Sequence, residues 1–194
     1  MREDVLVLGE QIVDLSNIEL RGRIIDIGGG GEGVIGQIEG EKVVAVDNRK
    51  SELEEAIDNG DTRSLKIVMD ARELKFLEKT FDTATAFFSM MYMMPSDHGK
   101  VLQEIHRVLK TNGDFFLWDL TIPKRFDEKK DIFGIALKVK IKDRVISTGY
   151  GIRWNREQDI EYFRNKIENS GFRILESKSE KEIFHLRCKK IDME

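Results

Sequence analysis

The feature that most constrains this chain is an apolar run that ends in a cluster of glycines. Residues 24–27 read Ile-Ile-Asp-Ile, and glycine stands at positions 28, 29, 30, 31 and 33. Glycine adopts positive φ and carries no Cβ, so the backbone can turn sharply and a ligand can lie against it. The pattern predicts a buried strand that leads into a loop for a nucleoside cofactor.

The glycines of this loop fit two different motifs, and the charged residues around the loop distinguish between them. Gly28, Gly30 and Gly33 fit the G-x-G-x-x-G of dinucleotide sites, whereas Asp26 before Gly28 fits the acidic D-x-G-x-G of S-adenosylmethionine sites. Residues 24–41 contain no Lys or Arg, and their acidic residues are Asp26, Glu32, Glu39 and Glu41. Acidic surroundings repel a pyrophosphate and suit a ligand with a sulfonium and an ammonium group. A cationic cofactor is favoured, and an NAD-dependent oxidoreductase is the alternative.

Strand and helix patterns alternate through the first two thirds of the chain. The predicted strands cover residues 23–27, 42–46, 65–69, 82–88 and 115–118. The predicted helices cover residues 34–39, 51–59, 72–79 and 96–111. A last helix from Asn155 to Ser170 precedes an antiparallel pair of strands over residues 172–178 and 183–189. This alternation predicts an α/β fold with a doubly wound sheet.

Two segments stand outside the alternation. Residues 1–22 form a short N-terminal arm without a helical period. Within residues 133–154, Ile135, Leu137 and Val139 alternate with polar residues, and a turn at residues 142–144 follows, which predicts an inserted β-hairpin. The apolar face of such a hairpin needs a surface to lie on. We expect a single domain over residues 1–194, in which the hairpin covers the substrate side of the crevice, contacts a partner subunit or extends its own sheet.

Polar residues follow successive strands of the predicted sheet. Ligands of open parallel sheets bind beyond the carboxyl ends of the strands, so Gly28, Asp47, Asp70 and Ser89 should face one crevice. Asp47 lies 21 residues after Asp26, a spacing at which a carboxylate accepts hydrogen bonds from ribose hydroxyls. Asp70 could likewise accept from the exocyclic amine of adenine. The alternative role for each aspartate is a helix cap.

With these motifs in place, the chain resembles class I S-adenosylmethionine-dependent methyltransferases of the type 11 group. The matching stretches are residues 24–30, 44–47, 70–71 with Leu74, 81–82 and 104–113. The resemblance implies a Rossmann-like seven-stranded sheet whose last strand runs antiparallel, S-adenosylmethionine as the cofactor, and methyl transfer. Two departures from the family pattern are Glu32, where glycine is usual, and the short arm in place of a helical lid.

The resemblance also assigns the cofactor contacts. It places Asp26 with Gly28, Gly29 and Gly30 around the methionine part. It places Asp47 at the ribose. The remaining expected cofactor-binding residues are Asn48, Asp70 and Ala71 at the nucleoside, and Ser89.

No catalytic residue is assigned from the sequence. Methyl transfer is a displacement at an activated carbon, so the protein mainly aligns the reactants and excludes water, and a general base is optional. Tyr92, His98, His106 and Asp119 are candidates by position, and structural roles are favoured for each. No metal-ligand spacing is present. A binding module that keeps the cofactor without turnover is a third hypothesis.

Composition limits the classes of partner and the compartment that we expect for this chain. The net charge of −4, from 32 basic and 36 acidic side chains, gives no pull toward nucleic acid, so a small-molecule acceptor is expected. Cys188 is the single cysteine and is predicted to be a packed thiol in a reducing compartment. No signal peptide or membrane-length apolar run occurs in the sequence, which favours the cytoplasm. A homodimer through the hairpin is a further possibility.

Overall fold

The computed structural model describes residues 4–191 of the chain. The first three residues of the predicted arm and the last three of the chain lie outside this range. The contacts separate into two compact units. We call residues 20–120 with 160–191 the glycine-loop unit, and residues 4–19 with 121–159 the hairpin unit. The expectation of one domain over residues 1–194 stays a prediction.

The elements follow one another in the predicted order, except that residues 69–80 contain no helix. The strands are β1 (Val5–Asp14), β2 (Ile24–Ile27), β3 (Val43–Asp47), β4 (Leu65–Val68), β5 (Phe81–Phe87), β6 (Leu109–Leu120), β7 (Ile132–Ile141), β8 (Arg144–Arg153), β9 (Phe172–Glu180) and β10 (Ile183–Lys190). The helices are α1 (Val34–Glu39), α2 (Lys50–Asp58), α3 (His98–Val108) and α4 (Ile160–Asn169).

The glycine-loop unit is built on one mixed sheet. Over the described part of the chain this sheet has seven strands in the order β4-β3-β2-β5-β6-β10-β9. Strands β2 to β6 pair in parallel, and β10 runs antiparallel to both of its neighbours. The predicted fold class, a doubly wound Rossmann-like sheet with an antiparallel last strand, is confirmed.

The core of this unit explains why these segments are strands and helices. All four residues of β2 are buried, which is why the strand reads as a nearly continuous apolar run. Helix α3 places its apolar residues at helical spacing on one face. That face joins a cluster with residues of α4, β6 and β10, and its buried members from α3 are Val101, Leu102, Ile105 and Val108. Cys188 is buried in the same cluster, so the predicted packed thiol is confirmed.

The predicted helix over residues 72–79 is wrong. The segment is irregular because side chains of α3 bind its backbone groups. Glu104 accepts a hydrogen bond from the Leu74 N–H at 2.7 Å. Arg107 donates to the carbonyls of Leu74 at 2.8 Å and Phe76 at 2.9 Å. Tertiary partners therefore replace the intrahelical hydrogen bonds that the local sequence favours.

Two predicted helix boundaries are also wrong. Helix α4 begins at Ile160 and not at Asn155, because Gln158 exchanges two backbone hydrogen bonds with Ile122. Helix α3 ends at Val108, and Leu109 already belongs to the long strand β6.

The hairpin unit contains the inserted hairpin as predicted. Strands β7 and β8 pair antiparallel, and the inward residues of β7 are buried, as their alternation requires. The N-terminal arm supplies β1, which pairs in parallel with β7. Among the described residues, no helix is both long and apolar enough to span a membrane.

Candidate functional site

The strand order places a topological switch point between β2 and β5. From β2 the chain proceeds outward to β3 and β4, whereas β5 leads to β6 on the opposite side. Ligands of such sheets bind at the carboxyl ends of the strands at this point. Gly28, Asp70 and Ser89 lie in the segments that follow β2, β4 and β5. Asp47 is the last residue of β3, so the structure places all four at this edge of the sheet.

The glycine loop packs closely against its neighbours. Gly28 has φ of +70°, and a Cβ there would lie 2.4 Å from the Cβ of Ser89. A Cβ at Gly30 would lie 2.4 Å from the Cβ of Glu52 and 3.1 Å from Oδ2 of Asp47. The loop therefore contacts the Ser89 turn on one side and Asp47 and α2 on the other. Side chains at Gly28 and Gly30 would therefore clash with these neighbours.

The loop directs much of its backbone hydrogen bonding into the protein. Four of its N–H groups donate to protein carbonyls at 2.8 to 3.2 Å: Gly28 and Gly29 to Val46, Gly31 to Glu52, and Gly33 to Gly30. Pyrophosphate loops instead direct such groups at the anion. Together with the acidic side chains, this geometry disfavours the dinucleotide alternative.

Asp26 lies beneath the glycine loop and is buried. Its Oδ1 accepts a hydrogen bond of 2.6 Å from the hydroxyl of Thr85. Its Oδ2 would be 2.7 Å from a Cβ at Gly29. Burial raises the pKa of Asp26 to about 7, the Thr85 hydrogen bond opposes this rise, and the charges of Asp61 and Asp47 add to it. Asp26 thus supports the loop from below, and its burial favours the protonated form of the carboxyl.

Asp47 ends β3 and faces the loop. Its Oδ1 accepts from the N–H of Arg49 at 2.9 Å, a local turn at the entry to α2. Its Oδ2 is the atom that lies near Gly30. Asn48, the next residue, is exposed. The cofactor contacts expected of Asp47 and Asn48 stay predictions.

Asp70 is engaged by a neighbouring cation. Arg72 donates to its two carboxylate oxygens, with the shortest contact 2.7 Å from Nη2, and these hydrogen bonds lower the pKa of Asp70. Arg72 also donates to Asp97 at 3.1 Å, just before α3. Ala71 between them is half-buried. The adenine contacts expected of Asp70 and Ala71 stay predictions, and an incoming amine would share Asp70 with Arg72.

The candidate bases occupy different surroundings. His98 and Asp119 are buried and bind backbone groups of the turn after β5. Nε2 of His106 lies 3.2 Å from the carbonyl oxygen of Ile191, so His106 does not contact that turn through this bond. Tyr92 lies in the turn itself and is 48% exposed. Within residues 4–191 there is no group of three or more His, Cys, Asp or Glu side chains that could hold a metal ion.

Two residues that shape the site, Thr85 and Glu52, were not predicted from the sequence. Thr85 holds Asp26, but β5 also contains the polar residues Asp82 and Thr83, so the sequence of the strand does not single out Thr85. Glu52 packs on Gly30 and forms an ion pair of 2.9 Å with Arg49. Its position on α2 gave no local signal, because the contact depends on tertiary packing.

Comparison with known proteins agrees with this geometry. The sequence pattern described as "Methyltransferase domain" matches residues 25–117. The sterol 4-C-methyltransferase strm-1 of Caenorhabditis elegans is 37% identical over 62 residues, which are 32% of this chain and 18% of that protein. A demethylmenaquinone methyltransferase of Bacteroides fragilis is 38% identical over 72 residues, 37% of this chain and 28% of that protein. The matched region is therefore less than a third of these relatives.

Solved structures share the fold. The PH0226 protein of Pyrococcus horikoshii superposes with a TM-score of 0.65 at 20% identity, over 88% of this chain and 84% of that one. An S-adenosylmethionine-dependent methyltransferase of Methanosarcina mazei superposes with a TM-score of 0.65 at 14% identity, over 92% and 99% of the two chains.

Proposed function

We propose that this chain transfers a methyl group from S-adenosylmethionine to a small-molecule acceptor, because residues 25–117 match the family described as "Methyltransferase domain". The observation that carries the proposal is the glycine loop at the switch point. Close packing leaves no room for a Cβ at Gly28, Gly29 or Gly30, and four N–H groups of the loop donate to protein carbonyls. The carboxyl groups of Asp26 and Asp47 lie next to the loop. Such a site suits a cationic nucleoside better than an anionic one.

The residues present fit S-adenosylmethionine. Gly28, Gly29 and Gly30 would hold its methionine part over Asp26, and Asp47 with Asn48 would hold the ribose. Asp70 and Ala71 would border the adenine, and Ser89 closes the switch-point side of the loop. When bound, the cofactor supplies a methyl group activated by its sulfonium.

The chain itself contributes alignment and the exclusion of water. Hydrogen bonds to protein carbonyls fix the backbone of the glycine loop. A preorganised site of this kind lowers the barrier of a displacement reaction because it holds the reactants in line. A dedicated base is not required when the acceptor is already nucleophilic.

We infer that the acceptor is an apolar small molecule. Tyr92 and Met94, in the segment after β5, are 48% and 63% exposed although they are large and apolar. Exposed apolar side chains beside a cofactor site are suited to an apolar ligand. Two relatives are named for a sterol and for demethylmenaquinone, which supports this class. The acidic charge balance does not favour nucleic acid.

Isothermal titration with S-adenosylhomocysteine, S-adenosylmethionine and NAD tests the cofactor. We expect the first two to bind and NAD not to bind. Asp47→Ala should weaken S-adenosylhomocysteine binding by about 1–3 kcal/mol through the loss of charge-assisted hydrogen bonds. Asp58→Ala, on the exposed end of α2, is the matched control. Tight NAD binding without any response to S-adenosylhomocysteine would overturn the proposal.

Transfer from methyl-labelled S-adenosylmethionine tests the acceptor. A reduced demethylmenaquinone and a sterol are the apolar probes, and catechol is the water-soluble comparison. We expect the label in an organic-extractable product with an apolar probe. Label only on catechol contradicts the apolar acceptor, and cofactor binding without transfer to any probe supports a binding module instead.

A further inference from the structure

We propose that His98 and Asp119 are positioning residues that clamp one peptide group, and that this clamp fixes the turn beside the cofactor loop. The peptide group joins Met90 to Met91, at the start of a 3-10 turn over Met90–Tyr92. The inference rests on the proposed function, because its consequence is measured as cofactor binding.

The two side chains hold opposite ends of the same peptide. His98 Nε2 lies 2.9 Å from the carbonyl oxygen of Met90. The N–H of Met91 donates to Oδ2 of Asp119 at 3.0 Å. Because a carbonyl only accepts, Nε2 of His98 must carry a proton. Rotation of this peptide would therefore break both hydrogen bonds at once.

Both side chains are completely buried and are further supported. Nδ1 of His98 lies 3.0 Å from the hydroxyl of Tyr162 on α4. Asp119 also accepts from the N–H of Leu120 at 2.7 Å. Burial of an imidazole and a carboxylate is unfavourable unless their hydrogen bonds are satisfied, and an apolar pair would pack the same space more easily. The arrangement therefore constrains the turn beyond what packing alone requires.

The clamped turn is linked directly to the glycine loop. Ser89, just before the clamped peptide, donates from Oγ to the carbonyl of Ile27 at 2.6 Å. Its Cβ occupies the space that a side chain at Gly28 would need. The Tyr92 N–H closes the turn by donating to the Ser89 carbonyl at 3.1 Å. A shift of the clamped peptide would thus move Ser89 against Gly28 on one side and Tyr92 on the other.

Conservative and disruptive variants separate this role from packing. His98→Phe keeps a ring but has no donor, whereas His98→Gln keeps an N–H donor. Asp119→Leu removes the acceptor, whereas Asp119→Asn keeps one. Val101→Ala, one turn along α3 from His98, is a control that lowers stability but keeps every group that forms the clamp's hydrogen bonds. Each variant is tested by S-adenosylhomocysteine titration and by thermal unfolding.

We expect the Phe and Leu variants to bind S-adenosylhomocysteine about tenfold more weakly or worse, as the loss of one buried hydrogen bond implies. The Gln, Asn and Val101→Ala variants should bind within about threefold of the wild type, even where their melting temperatures fall equally. Equal affinity of His98→Phe and His98→Gln in folded proteins would overturn the clamp. Absence of binding by the wild type would overturn the proposed function instead.

A second measurement covers variants that fail to fold. Hydrogen exchange of the Met91 amide, read by NMR on the wild-type chain, should show protection comparable to that of β5. Exchange at the rate of an exposed turn amide would overturn the clamp without any substitution.

Discussion

Two glycines of the glycine loop and two glycines of the hairpin unit differ in how closely other atoms approach them. In the glycine-loop unit, Cβ atoms at Gly28 and Gly30 would each lie 2.4 Å from another Cβ. In the hairpin unit, a Cβ at Gly9 would meet nothing within 4 Å, and one at Gly151 would come no closer than 3.5 Å to any neighbour. Close approach of the backbone therefore requires glycine at positions 28 and 30, but not at positions 9 and 151. A glycine therefore indicates a site only where its surroundings exclude a side chain.

Charge distinguishes the same two regions. Beneath the glycine loop the carboxyl of Asp26 is buried, with its pKa raised to about 7. In the hairpin unit the buried positions of β7 include Leu137 and Val139, and a lysine on the other face forms an ion pair of 2.9 Å from Lys138 to Glu10. In the hairpin unit, apolar side chains are buried and charged side chains lie on the other face, as in an ordinary strand. Beneath the glycine loop a carboxyl is buried instead, at the place where a ligand is expected.

The largest effect should come from the buried face of the hairpin. Leu137→Ser with Val139→Ser removes two buried side chains and buries two hydroxyls, so we expect a loss of at least about 5 kcal/mol in the free energy of unfolding. Lys138→Ser with Lys140→Ser, on the other face of β7, is the matched control. Urea unfolding measures the loss, and light scattering reports the mass.

The same variant tests two expectations from the sequence. A lower mass with unchanged stability and intact S-adenosylhomocysteine binding would assign these residues to an interface between copies. One cooperative unfolding transition is what a single domain requires. Loss of the hairpin unit alone, with cofactor binding retained, would contradict a single domain.

The next effect concerns Asp26 and pH. Its folded pKa of about 7 lies above the unfolded value, so its contribution to stability is fully present below about pH 4 and is lost as the pH rises to 7. Asp26→Asn keeps an acceptor for Thr85 and does not titrate. Relative to the wild type, this variant should gain up to about 4 kcal/mol in unfolding free energy between pH 4 and pH 8.

Urea unfolding of both proteins at the two pH values measures this difference. Burial lowers the pKa of His185 to about 4, which favours the folded state as the pH rises, but His185 is present in both proteins and cancels. A stability difference between the proteins that does not change with pH would show that Asp26 is ionised throughout.

A smaller loss of stability should follow Gly28→Ala. The new Cβ meets Ser89, and φ of +70° is unfavourable for alanine, so we expect about 2–3 kcal/mol. S-adenosylhomocysteine binding should fall as the Ser89 turn moves. Gly99→Ala, where nothing lies within 4 Å, is the control in the same unit. If both variants behaved alike, close approach would not be the reason for Gly28.

These results also show what the sequence could predict. Strand β2 was predictable because three of its four residues are isoleucine, and the hairpin was predictable because its alternation is local. The helix over residues 72–79 was not, since Glu104 and Arg107, about thirty positions later, bind its backbone. Local preference was overruled by partners that no local pattern indicates.

At the candidate site, too, some features could be predicted from the sequence and others could not. The strand-end residues Gly28, Asp47, Asp70 and Ser89 could be ordered from chain position alone, because parallel strands share one carboxyl edge. Thr85 below Asp26 and the clamp from His98 and Asp119 could not, because each joins elements distant in sequence. The sequence therefore indicates which residues reach the edge, and the structure shows what holds them there.

The smallest expected effect is a gain, and it completes the comparison of the two sets of glycines. Gly9 lies in β1 at the register shift between Leu8 and Gln11, with open space where a Cβ would be. Gly9→Ala should stabilise the protein by about 0.4–1 kcal/mol, because alanine restricts the unfolded chain and meets no neighbour in the folded one. Urea unfolding of Gly9→Ala and of Gly28→Ala should therefore show changes of opposite sign in the free energy of unfolding. A loss at Gly9 would mean that the irregular pairing of β1 needs glycine for its backbone, and the contrast between the units would then lie in packing alone.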